Sequence, residues 1–143
     1  MDTREESKSF SATLDSLAPI RDFLTAEGKL AGLDKSKIYK LCLAADEIAT
    51  NIINYGYAKS GIINGIVDII AQSENGVLKV ILEDTAVPFN PFESKLPDDI
   101  DLALPLEERP IGGLGIMLAK ENVDKYIYKY ENGKNRNIFY INI

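Results

Sequence analysis

The sequence has no histidine, which removes histidine metal ligands, histidine-dependent nucleophilic triads and any histidine phosphoacceptor from within the chain. It has one cysteine, Cys42, so no disulfide closes within it, and that residue sits as a core side chain in an apolar, helix-patterned stretch. No apolar run approaches the roughly 20 residues that a membrane span requires. Clustered basic residues are missing too: 16 Lys and Arg against 22 Asp and Glu leave a formal charge of −6, a poor surface for displacing counterions from a nucleic acid. Met1 to Ser9 are polar and charged, without the basic start and apolar stretch of a secretory signal. These absences lead to the expectation of a cytoplasmic protein without nucleic-acid or membrane partners. Its 143 residues are sized for a single domain, 1–143.

What is present is ordinary globular material, 45% hydrophobic and 27% charged, arranged in two periods. Lys8 to Leu14 alternates and reads as a first strand. Ser16 is placed to cap a helix from Leu17 to about Lys29, closed by Gly28 and Gly32. Asp34 caps a longer helix in which Ile38, Leu41, Ala45, Ile48, Ile52 and Tyr55 recur at spacings of three and four, ending near Gly56. The period then changes. Ile62 to Ile70 and Val77 to Asp84 read as strands joined through Ser73-Glu74-Asn75-Gly76, and Val123 to Tyr130 and Arg136 to Ile143 as a second pair joined by Glu131-Asn132-Gly133-Lys134-Asn135. Hairpin-paired strands with helices gathered between them predict an α+β fold. Its architecture is a two-layer sandwich, a mixed or mostly antiparallel sheet with helices on one face.

Between the strands, from about Thr85 to Ile111, lie Pro88, Pro91, Pro97, Pro105 and Pro110 with the acidic cluster Asp98, Asp99, Asp101, Glu107 and Glu108. That proline density forbids long regular elements, and connections of this length in compact domains are functional lids or linkers. Leu102, Leu104 and Leu106 punctuate the stretch, which favours a lid.

Three motifs carry chemistry. Glu47, Asn51 and Asn54 stand at i, i+4 and i+7 of the long helix and form one polar stripe beside its apolar face; a solvated helix face has the same pattern. Asp84 closes a strand in which alternation places it with Leu78, Val80 and Leu82, on the face that helices cover. A carboxylate there needs donors, and the exocyclic amine of an amino-purine is one; the alternative is a strand-end aspartate capping the next turn. Gly112-Gly113-Leu114-Gly115 precedes a helix, where bare backbone N–H groups and the helix dipole favour an anion such as phosphate.

In this order and spacing the three motifs resemble those of the GHKL ATPase superfamily. The helix stripe is similar to its N box, Asp84-Thr85-Ala86-Val87-Pro88-Phe89 to its first glycine box and Gly112-Gly113-Leu114-Gly115 to its second. The short chain, Pro88-Phe89-Asn90-Pro91 and the run from Pro105 to Gly115 resemble the bacterial anti-sigma-factor serine/threonine kinases of partner switching. The resemblance covers about Phe10 to Ile143. It implies ATP and Mg2+ as cofactors, Glu47 as catalytic base and Asn51 as metal ligand. For ATP binding it implies Asn51, Asn54, Asp84, Ala86, Pro88, Phe89, Gly112, Gly113, Leu114 and Gly115. It implies an anti-sigma-factor antagonist protein and a sigma factor as partners, with Arg21 in the partner-contact region, and it leaves a homodimer open. Two positions depart from the pattern: Ala86 stands where glycine is usual, and Asn54-Tyr55 where relatives often have histidine. Two further readings are a partner-sequestering ATP-binding module without phosphotransfer and a detached histidine-kinase catalytic domain.

Overall fold

The computed structural model describes residues 3–93 and 113–143. Among them, one five-stranded antiparallel sheet carries the fold. It is built from β1 (Arg4–Ser11), β2 (Ile66–Glu74), β3 (Val77–Asp84), β4 (Lys125–Glu131) and β5 (Lys134–Asn142) in the order β1-β2-β3-β5-β4. Helices α1 (Leu17–Ala31), α2 (Lys35–Asn51) and α4 (Gly113–Asn122) cover one face, with a single turn α3 (Ala58–Ser60) near its edge. This is the α+β two-layer sandwich that the alternating and helical periods predict.

Packing follows from those periods. In β2 and β3 alternate residues Val67, Ile69 and Ala71, and Leu78, Val80 and Leu82, are buried on the helix side. Ile38, Leu41, Ala45 and Ile48 of α2 meet them as the apolar stripe of that helix. Asp34 starts α2 by accepting the Lys37 N–H on its carboxylate at 2.8 Å, a cap that removes one orphan donor. Gly28 does not end α1. It is buried in mid-helix, where a Cβ would stand 2.9 Å from the Ile38 side chain, so its bareness lets α2 approach. The helix ends at Gly32, whose φ of 97° is a left-handed cap. Ser16 occupies the N-cap position without a side-chain bond to the helix.

Three element boundaries differ from the sequence reading. The first strand begins at Arg4, where exposed polar residues pair with β2 and only Phe10 is buried; Leu14 falls in a 3-10 turn, Leu14–Ser16. The second strand begins at Ile66, because Asn64 with its φ of 65° and Gly61 with its φ of 67° turn the chain before it. Both hairpins close on two residues, Asn75-Gly76 with φ of 52° and 79° and Asn132-Gly133 with φ of 55° and 75°, the left-handed pair that a two-residue connection demands. The shorter second hairpin draws Asn135 out of the expected loop and into β5, directly opposite Asp84.

Beyond Asn51 the helix widens into a π-helical turn, Ile52–Tyr57. Such turns are rare and concentrate at functional sites. The proposed lid lies largely outside the described residues, as does the acidic cluster. Among the described residues no helix is long and apolar enough to cross a membrane.

Candidate functional site

At the open end of the sandwich α2 and its π turn face the end of β3, and the two enclose a cavity of about 30 Å3 walled by Asn51, Gly56, Asp84, Phe89, Tyr126 and Asn137, among others. That space has room for about two water molecules. A purine therefore requires the wall to part, and Val87 and Phe89 are the wall residues built into neither helix nor strand.

Asp84 is buried at the end of β3, as the alternation predicts. Its Oδ1 accepts the Ala86 N–H at 3.0 Å and the Asn135 Nδ2–H at 2.9 Å, while Oδ2 has no donor among the described residues. Burial pushes its pKa up, and the bonds from Asn135 and Ala86 oppose that rise. Asn51 presents a second open group: its Nδ2 is buried without a hydrogen-bond partner among the described residues. A buried, unpaired polar atom costs free energy, which a ligand bonded there returns.

Glu47 lies one turn before Asn51 and faces α4 rather than the cavity: a Cβ on Gly115 would stand 2.5 Å from its Oε2. Burial, then the neighbouring Asp46, hold Glu47 above the usual carboxylate range. The last glycine of Gly112-Gly113-Leu114-Gly115 is thus what gives the carboxylate room. Helix α4 begins at Gly113, so Gly113, Leu114 and Gly115 form its first turn, where backbone N–H groups lack intrahelical partners. Gly112 lies outside the described residues.

The π turn is tied to the stretch after Asp84 by two hydroxyls. Tyr57 donates to Ile66 O at 2.5 Å and accepts the Thr85 N–H at 3.0 Å; Ser60 donates to Gly56 O at 2.7 Å and accepts the Val87 N–H at 2.8 Å. Ala86 is buried against Gly56, where an added methyl would stand 3.3 Å from its own, which gives this departure from the usual glycine a place away from the cavity wall. Asn54 and Pro88 are exposed and do not line the cavity. For Asn54 the reason is the π turn, which changes the angular step after Asn51 and carries residue 54 off the stripe. Arg21 is partly exposed on α1 and bonded to Asp46 at 2.8 Å, a pair worth no more than about 1 kcal/mol at such a surface.

Residues 10–140 match the family model described as the histidine kinase-like ATPase domain. The chain belongs to that family. A solved structure of the RsbU and RsbW domains of Rv1364c from Mycobacterium tuberculosis is similar in fold, with a TM-score of 0.65 at 16% identity over 97% of this chain. This chain spans 32% of that one. No curated protein matches the sequence.

For an ATPase domain the donor set fits its nucleotide. Among the described residues Asp84 Oδ2 has no donor and Asn51 Nδ2 no partner, and the α4 N-terminus is a source of backbone donors. An amide oxygen is also a hard neutral ligand of the kind Mg2+ takes, and Asn51 is the cavity residue whose amide would offer one.

The sequence reading missed Asn135, Asn137 and Tyr126 in this ATPase domain. Asn137 accepts the Tyr126 hydroxyl at 2.6 Å, and burial raises the pKa of that hydroxyl, keeping it a donor. Their signal was two asparagines at alternate positions before Phe139 and Ile141, on the inward face of one strand, legible once the hairpin is shortened to Asn132-Gly133.

Proposed function

We propose that this domain binds Mg2+-ATP in the cavity between α2 and the end of β3 and transfers the γ-phosphoryl group to a serine or threonine of an anti-sigma-factor antagonist protein. A sigma factor is its second partner, with Arg21 at the contact surface. The observation that carries the reading is the shared wall. Asn51 brings a buried amide nitrogen, unpartnered among the described residues, to the cavity that Asp84 also lines with one oxygen lacking a donor among them, and Glu47 stands one helical turn away against α4.

In this reading Asp84 Oδ2 accepts a hydrogen bond from the purine amine, and the N–H groups at the start of α4 bind phosphate oxygens. Mg2+, held through Asn51, neutralises phosphate charge when bound. Glu47 accepts the proton of the substrate hydroxyl as its oxygen bonds to the γ-phosphorus. The bond from that phosphorus to the β,γ-bridging oxygen breaks, and ADP leaves. Phosphoryl transfer asks chiefly for positioning and charge stabilisation, which this small set provides.

The first test is thermal unfolding with ATP and Mg2+. At a hundred times the dissociation constant the ligand adds about 2.7 kcal/mol, an upward shift of several degrees for a chain of this size. No shift at millimolar nucleotide removes the ATP site. The second test adds γ-labelled ATP and an antagonist protein: label on serine or threonine supports the kinase, and binding without transfer leaves a partner-sequestering module.

Gly115 supplies a separate check. Gly115→Ala is expected to keep the fold and nucleotide binding, because the atom it displaces is the end of a flexible side chain, but to slow transfer about tenfold by moving the Glu47 carboxylate. Single-turnover transfer at saturating ATP measures this, and an unchanged rate means that the carboxylate position is unimportant.

A further inference from the structure

We infer that Asn135 determines which purine this site accepts, by holding one oxygen of Asp84 so that the other stays an acceptor for a 6-amino group. The inference rests on the nucleotide-binding reading above and goes beyond it to base specificity.

The register of β3 against β5 sets Asp84 and Asn135 directly opposite each other, both buried. The Asn135 amide nitrogen donates to Asp84 Oδ1 at 2.9 Å, to Ala86 O at 3.2 Å and to Val87 O at 3.0 Å. Its oxygen accepts the Phe89 N–H at 3.1 Å and the Tyr128 hydroxyl. One side chain thus reaches residues 84, 86, 87 and 89, the whole stretch from the strand end to the cavity wall. Every hydrogen-bonding direction of the amide is used, so its orientation is determined: the N–H side faces Asp84.

That orientation has a chemical consequence. A carboxylate accepts from an amine, as on adenine. A neutral carboxyl group also donates, and so matches the 6-oxo group of hypoxanthine or guanine. Removing Asp84 from water favours its neutral form, and the N–H groups on Oδ1 favour the ionised one. Asn135 is the only side chain among the described residues that donates to Asp84; Ala86 contributes backbone alone. It supports the ionised state and, by engaging Oδ1, leaves Oδ2 as the acceptor of a residue that lines the cavity.

The experiment compares ATP with inosine triphosphate, which differs at the 6-position, by calorimetric titration with Mg2+ present. Asn135→Leu, of similar volume, removes the one side-chain donor on Asp84 Oδ1 among the described residues and so favours the neutral carboxyl group, which can donate from Oδ2. The ratio of ATP affinity to inosine triphosphate affinity is expected to fall by roughly tenfold or more. Asn135→Ala, which removes the same donor with a smaller side chain, shifts the ratio in the same direction and serves where the leucine variant does not fold. Tyr128→Phe loosens Asn135 from its oxygen side and keeps the donor on Asp84, so its ratio stays that of the unaltered protein. Equal losses for both nucleotides in the Asn135 variants reduce Asn135 to a structural support and overturn the inference, while the ATP site stands. Binding of neither nucleotide by the unaltered protein defeats both readings.

Discussion

Glu47→Ala is expected to leave nucleotide binding intact and to slow phosphotransfer by roughly 10² to 10⁴, the usual worth of a positioned general base. Binding survives because Glu47 faces Gly115 and not the cavity. Transfer suffers because the nearest described carboxylate, Asp46, holds Arg21 through Oδ2 at 2.8 Å and does not stand against Gly115 as Glu47 does. The pH dependence carries the same signature. A base works unprotonated, so the rate rises with pH as Glu47 ionises, at a pH above that of an ordinary glutamate, since burial and then Asp46 raise its pKa. Asp46→Asn removes the second cause, and the acid limb of the pH–rate profile should move to lower pH. Single-turnover rates across pH, with binding measured separately, check both. A Glu47→Ala rate equal to that of the unaltered protein removes Glu47 from the chemistry.

Asp84→Asn has the largest expected effect on binding. The amide oxygen can keep the bonds from Asn135 and the Ala86 N–H, while an NH2 replaces the free Oδ2. A donor then faces the donor of adenine, and ATP affinity should fall by roughly 10- to 100-fold, the worth of a hydrogen bond to a charged group. Stability without nucleotide moves the other way. The folded pKa of Asp84 lies above its unfolded value, so ionising it in the folded chain costs stability: the cost is absent below the unfolded pKa and grows as pH rises through the folded one. The asparagine variant should therefore melt at or above the temperature of the unaltered protein near neutral pH, with the difference shrinking in acid. Differential scanning calorimetry at two pH values, with and without ATP, reads both effects. A variant that binds ATP as tightly as before takes Asp84 out of base recognition.

The two effects oppose each other for one reason: a carboxylate taken largely out of water, with donors on only one oxygen among the described residues, is a poor choice for folding and a good one for a ligand. Asn51 shows the same feature with its unpartnered amide. Both stand on regular elements, α2 and β3, whose packing around Ile48 and Leu82 holds them in place.

Local pattern made much of this readable in advance. The stripe of α2 as far as Asn51, the alternation that turns Asp84 inward and the positions of the two hairpins are properties of short windows, and these became the elements predicted, the second hairpin on a shorter loop. Errors arose where a long-range partner chose the boundary. Arg4 to Ser7 are polar and exposed and became strand because β2 offered them a ladder, while Asn54 left the stripe because the helix widened into a π turn that Tyr57 and Ser60 anchor to residues 66, 85 and 87.

The sequence by itself determined the α+β class, the inward Asp84, the pairing of an acid and an amide on one helix and the glycine start of another, because periodicity and backbone freedom are written residue by residue. Only the tertiary structure decided that Gly115 meets Glu47 and that Asn135 meets Asp84 from 51 positions away. Those contacts depend on how helices pack and on the register of one strand against another, and a shift of a single residue in that register would turn Asn135 to the opposite face of the sheet.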